Sequence, residues 1–179
     1  MNYRIEQPTA VDALKLAKLH NQSWIETYPN DEYGISKSYI EERVANRLSE
    51  EGIKRRKAAI QQSYDDPTYF LRIAKNELGE IVGFIDGHLK EGEYWLDGLY
   101  TLMSTHGTGL GKLLWDTYLP WTNNKVVLLT VAIYNDRARA FYRKLGFEDR
   151  AGTERNFADT PIPVIDMVHK VENAKTNSL

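Results

Sequence analysis

The chain has 179 residues, a formal net charge of -2 at pH 7 and 42% hydrophobic residues, which is enough for one packed core and, at about 100–200 residues per domain, for a single domain. So balanced a charge lacks the basic footprint on which nonspecific nucleic-acid or membrane-surface binding rests, so a small-molecule partner fits better than nucleic acid or membrane. Cysteine is absent, which excludes disulfides, thiolate metal sites and a cysteine nucleophile, and with no signal-like N-terminus or long apolar segment the sequence reads as cytoplasmic.

"YRIEQ" alternates and predicts a first strand closed by Pro8. Thr9 with Asp12 resembles a capping box, opening a helix whose apolar face is Val11, Leu14 and Leu16 to Leu19. "WIETYPNDEY", Trp24 to Tyr33, follows neither period and predicts a loop or broken helix over a site. Residues 36–63 carry a charge-rich helical pattern in which Gly52 marks a break, and "KRRK" at 54–57 reads as a solvated face. After Pro67 the period falls to two. "TYFLRIAK" and "IVGFIDGHLK" predict a hairpin and "EYWLDGLYTLM" a third strand. "GLGKLLWDTYLPWT" predicts a helix, "KVVLLTVAI" a buried strand, and "NDRARAFYRKLG" a helix from an Asn cap to a Gly stop. "FEDRAGTERNF" and "IPVIDMVHKVE" predict a last strand pair, whose edge would allow a homodimer. The single domain is expected over 1–172, with a polar tail at 173–179.

Three alternate glycines, Gly107, Gly109 and Gly111, stand in "THGTGLGKLL" just before a helix. Helical glycine costs about 1 kcal/mol relative to alanine, so the cluster needs a backbone reason, commonly an anion. Only three residues separate Gly107 from Gly111, and Leu113 follows Lys112, which fails the P-loop pattern. Lys112 and Leu114 stand where a dinucleotide fingerprint needs its third glycine. What remains is a strand, a turn and a helix start whose free N–H groups suit a pyrophosphate, with Lys112 adding charge; a purely structural turn is the alternative. In "YNDRARAFYRKLGF", Asn135 caps a helix on which Ala138, Phe141, Tyr142 and Leu145 share one face.

Together these two segments resemble the GNAT superfamily of acetyl-CoA-dependent N-acetyltransferases, well over roughly residues 68–148 and elsewhere by element order. The resemblance implies an α/β (α+β) fold with a central mixed, mostly antiparallel sheet of about seven strands flanked by four or more helices. It implies acetyl-CoA as cosubstrate, no metal, and transfer to a primary amine of a small molecule or peptide. The family's coenzyme loop reads Gln or Arg, two residues, Gly, one residue, Gly or Ala; Gly109 and Gly111 match, and His106 stands at the first position. By the same match the backbone N–H groups of Gly107, Thr108, Gly109, Leu110 and Gly111 would hold the pyrophosphate, with Lys112 adding positive charge. Leu102 with Thr101 or Met103 would pair with the pantetheine and thioester carbonyl, Asn135 would contact the pantetheine, and Tyr142 would approach the sulfur.

Acetyl transfer to an amine needs a neutral nucleophile, donors for the oxyanion and a proton for the leaving thiolate. Tyr142, ordinarily protonated at neutral pH, is the candidate acid, and backbone N–H groups near Leu102 are the oxyanion donors. Asp97 and Glu93 are the candidate bases: strand alternation places both on the side of Trp95 and Thr101, although a water relay competes. Asp86 and His88 read as weaker candidates, a lone strand histidine being more often structural. "WIETYPNDEY" and "RNFADTPIP" would flank the acceptor, with Trp24 and Tyr28 as ring contacts or, equally, core. A non-catalytic acyl-CoA-binding domain is the rival: it needs the glycine loop and Asn135 but neither Tyr142 nor a base.

Overall fold

The structure, a computed structural model, describes residues 2–170; the polar tail expected at 173–179 lies outside them. β1 (Arg4–Glu6) leads into a short 3-10 turn and then α1 (Ala13–Thr27), α2 (Lys37–Ala45) and α3 (Glu50–Asp65). β2 (Tyr69–Lys75), β3 (Ile81–Lys90) and β4 (Glu93–Thr101) follow as a meander, then α4 (Leu110–Tyr118), β5 (Val127–Ala132) and α5 (Asp136–Lys144). β6 (Phe147–Asp149), β7 (Arg155–Asn156) and β8 (Pro163–His169) complete the order. Eight strands form one sheet in the order β1-β2-β3-β4-β5-β8-β6, with β7 also on β8. Only β4 and β5 are parallel; the other pairings are antiparallel. The expected final pair is thus three strands, because the bend after Asp149 interrupts the first partner and two short strands share β8.

The capping box at Thr9 forms, the Asp12 carboxylate accepting from the Thr9 N–H at 2.9 Å. Of the expected apolar face of α1, Leu16, Ala17 and Leu19 are buried, and the N-terminal part is not. Ala13, Leu16, Ala17 and Trp24 face the core, whereas Val11 is 84% and Leu14 46% exposed, so the stripe starts two residues later than expected. α1 also runs through Trp24 to Thr27 before Pro29, longer than the loop reading allowed.

The break between α2 and α3 is at Asn46–Leu48, not at Gly52. Gly52 lies in the first turn of α3, where Ser49 caps it by accepting from its N–H at 3.1 Å. A side chain there would meet the backbone oxygen of Asn46 at 2.2 Å. One sheet face carries α4 and α5 over Leu96, Leu114, Tyr118, Leu129 and Met167; the other carries α1 and α3 over Leu16, Ile60, Ile73 and Phe84. Among the described residues no helix is long and apolar enough to cross a membrane.

Alanine at an ordinary helical glycine stabilises by about 1 kcal/mol. Here the steric term reverses the sign, so Gly52→Ala is expected to lower the thermal midpoint, measured by circular dichroism, whereas Ala58→Gly in the same helix lowers it only by the propensity difference.

Candidate functional site

β4 and β5 pair over three rungs, Tyr94–Leu96 against Val127–Leu129, and then part, β5 continuing along β8. The gap opens into a cavity of about 630 Å³ lined by β4, the glycine turn and α5. A smaller one of about 240 Å³ lies on its far side, walled by Trp24, Tyr28, Trp95, Tyr100 and Phe157. Tyr28, Leu96, Asp97, Tyr100 and Thr130 line both.

The three glycines serve two needs. Gly107 and Gly109 hold φ of +78° and +86°, a region that L side chains avoid. Gly111 instead permits close approach, since a Cβ there would lie 3.1 Å from the Phe141 ring. Gly109 caps α4 without a side chain, and the Leu113 N–H is the first to bond back, to the Gly109 oxygen. The amides of Leu110, Gly111 and Lys112 therefore precede the helical ladder, as at any helix start, and all three residues line the larger cavity. Lys112 is held at 2.7 Å by Asp116, one turn on. Thr108 turns away from this lining, accepting from the Tyr3 hydroxyl and donating to the Thr105 oxygen.

His106 lines the same cavity. The Arg137 guanidinium, from the first turn of α5, lies against its ring, 2.8 Å from Nε2. Burial, then the Arg137 charge, push the imidazole below its ordinary pKa, so the ring is neutral at pH 7. Sequence reasoning missed Arg137; it sits inside the quoted motif, but only the meeting of α5 with the turn shows what it touches.

Along β4 the side facing the cleft differs from the expected one. The Leu102 N–H donates to the Val82 oxygen at 2.9 Å, so it is committed to β3, and Leu102 packs into the core outside the cavity lining. Rungs alternate in an antiparallel pair, so the backbone groups of Leu99 and Thr101 point away from β3. Both residues line the cavity, as does Met103.

A bulge explains the placement of the acids. Asp86 pairs with Gly98 and Gly87 with Leu96, which leaves Asp97 as the extra residue of β4. Alternation is broken there, so Asp97 joins Trp95 and His88 on one face while Thr101 falls on the other. Its Oδ2 is 2.6 Å from His88 Nδ1. Burial raises the Asp97 carboxyl above the usual carboxylate range and the His88 hydrogen bond draws it partly back. Asp86 lies behind, pushed up to about 7 by burial and by the Asp97 charge, with Arg56 and the Tyr69 hydroxyl opposing. Glu93 is exposed at the far end of β4 on the Lys90 rung and lines neither cavity.

Tyr142 is buried on α5 and lines the larger cavity; burial and neighbouring Tyr100 hold its hydroxyl well above the usual phenol range. Asn135 caps α5 by accepting from the Ala138 N–H at 3.0 Å and lines the same wall. In the smaller cavity Trp24 donates to the Tyr100 hydroxyl at 3.2 Å, which also meets that of Tyr28 at 3.2 Å.

The Acetyltransferase (GNAT) family model matches residues 17–147. The chain belongs to the GNAT acetyltransferase family. A curated relative, an uncharacterised N-acetyltransferase of Methanocaldococcus jannaschii, is 30% identical over 101 residues, 54% of this chain. The match spans 64% of that relative's length. Among solved structures, the PaiA N-acetyltransferase of Thermoplasma acidophilum in complex with coenzyme A is 21% identical, with a TM-score of 0.75 over 93% of this chain and 98% of that one. YncA of Salmonella typhimurium, solved with its cofactor acetyl-CoA, is 14% identical, with a TM-score of 0.69 over 99% of both chains. These likenesses confirm the GNAT fold of mixed sheet and flanking helices, with five α-helices among the described residues.

In an NMR pH titration of the four histidines, His106 is expected to titrate below its ordinary 6.5. Arg137→Ala removes a repelling charge and moves that midpoint up, leaving the other three in place.

Proposed function

We propose that this GNAT-family chain transfers the acetyl group of acetyl-CoA to a primary amine of a small molecule or peptide, by direct attack with both substrates bound. The carrying observation is the pair of cavities that meet across the parted strands, with Asp97, Leu96 and Tyr100 in both walls. A ligand entering from the glycine turn thereby meets a second one entering from the aromatic side. The complexes of PaiA with coenzyme A and of YncA with acetyl-CoA support the first ligand.

Bound acetyl-CoA supplies the activated acyl carbonyl. The unladdered amides of Leu110, Gly111 and Lys112, with Arg137 beside His106, suit the pyrophosphate. Backbone groups of Leu99 and Thr101 suit the extended pantetheine, as a third strand beside β4, and carry donors for charge growing on the carbonyl oxygen. Tyr142 keeps its proton at neutral pH and donates a hydrogen bond to the sulfur. An ordinary thiol has a pKa of about 8.5, so full transfer from so weak an acid is uphill and the hydroxyl stabilises the thiolate chiefly by donation. Asp97 takes the amine proton, and the aromatic walls suit a cation by ring contact.

Free-thiol release from acetyl-CoA is the test, across polyamines, amino acids, an aminoglycoside and peptide N-termini. Release with at least one class is expected; coenzyme A binding without release from any of them makes the chain a non-catalytic acyl-CoA-binding protein. Tyr142→Phe is expected to lower kcat by about a hundredfold, the usual scale of a lost proton donor, with coenzyme A affinity within about twofold; equal loss of both points to packing alone.

A further inference from the structure

The bulge singles out one contact that the reading of Asp97 as proton acceptor does not use. His88 stands on β3, in the rung with Tyr69 of β2 and Trp95 of β4. Its Nδ1 meets Asp97 Oδ2 at 2.6 Å, joining two strands across the point where the ladder is irregular. Asp97, as the extra residue of a bulge, has no rung partner to fix its direction. The two side chains are 36% and 39% exposed. A hydrogen bond between side chains this exposed adds little stability, so its use must be sought in the one partner that lines both cavities.

We propose that His88 is a positioning residue for Asp97, holding Oδ2 from β3 so that Oδ1 is presented to the ammonium of the acceptor at the junction of the two cavities. A carboxylate free to rotate divides its time between the cavity and solvent, and the amine loses its oriented acceptor. The hydrogen bond also favours the ionised form, which is the form that takes a proton. In the balanced reaction the ammonium and acetyl-CoA give the amide, the free thiol and one released proton. Asp97 takes that proton from the ammonium before the nitrogen attacks; as the C–N bond forms and the C–S bond breaks, the second proton lost from nitrogen passes to the leaving sulfur, and Asp97 returns its own to solvent through its exposed edge.

The other titratable or charged groups around the pair are Asp86 on β3, Tyr69 on β2, Arg56 on α3 and Tyr118 of α4 across the sheet. Tyr69 and Tyr118 are held neutral by burial, and Arg56 lies nearer Asp86, whose carboxyl it pulls down. His88 is thus the group whose hydrogen bond lowers Asp97.

The inference rests on Asp97 being the acceptor, so Asp97→Asn is assayed first, with the amine of the panel that gives most thiol release. Wild-type rates in Asp97→Asn overturn the Asp97 reading, and this inference with it. If Asp97→Asn is impaired, His88→Ala is expected to move the acidic limb of kcat/KM upward by about one pH unit. That is about a tenfold loss on the limb, added to the pH-independent loss that a rotating carboxylate brings to the alkaline plateau. His88→Asn, which keeps an N–H near the position of Nδ1, is expected to restore the limb to within about 0.3 unit. Carboxyl carbon NMR of aspartate-labelled full-length protein, with Asp97 identified from Asp97→Asn, follows the same midpoint without any acceptor. An acidic limb that stays at its wild-type position, an unmoved Asp97 midpoint, or no rescue by His88→Asn overturns the positioning role while leaving Asp97 as the acceptor.

Discussion

The parting of β4 from β5 is the constraint on which the rest depends. Three parallel rungs tie the strands at Tyr94–Leu96, and beyond them each backbone satisfies itself elsewhere, β4 on β3 and β5 on β8. A central strand that loses one neighbour exposes donors and acceptors, which cost free energy unless a ligand or water meets them. The join is braced where it ends. The Tyr118 hydroxyl donates to the Trp95 oxygen at 3.0 Å. Both atoms crowd Gly87, where a Cβ would lie 2.3 Å from that oxygen and 2.5 Å from the hydroxyl. α4, whose first turn faces the larger cavity, is thus pinned at its other end to the strand that opens it.

The same parting sets the electrostatics. Side chains at the junction face a cleft rather than bulk water, so burial is the leading cause of every upward shift there, for Tyr28, Tyr100, Tyr142 and Asp97 alike. Phenols respond by staying protonated, which makes them fixed donors that bind to one another, as Tyr28 and Tyr100 do. Carboxylates respond by becoming better bases. One environment therefore yields donors on the α5 side and acceptors at the bulge, the separation that acyl transfer to an amine requires.

Most of the element order was legible, because long apolar runs such as "KVVLLTVAI" and the meander after Pro67 carry their period openly. The capping signals at Thr9 and Asn135 were legible for the same reason: each depends on neighbours in sequence. The errors have one physical source. Gly52, Leu102 and Asp97 are each decided by a partner strand or turn, Asn46, Val82 and the β3 rungs, that no local pattern reveals. A single inserted residue reverses the faces of a strand, so alternation carried Thr101 and Asp97 to one side when the bulge separates them. Glu93 differs: alternation gives its face, but it sits at the opposite end of β4 from Thr101, on the Lys90 rung and outside both cavity linings.

His106 shows how a departure from a family pattern is absorbed. The resemblance puts Gln or Arg where this chain has His106, and a neutral imidazole brings no charge to an anion. A cation stands on the facing helix: Arg137, in the first turn of α5, whose guanidinium rests on the His106 ring. Burial first, and then the Arg137 charge, keep the ring neutral, and a nitrogen of a neutral ring can accept from Arg137. A protonated ring would offer two donors and a second positive charge, and would expel the guanidinium it now anchors. The positive charge on this wall of the cavity thus stands on α5, against the imidazole of the turn.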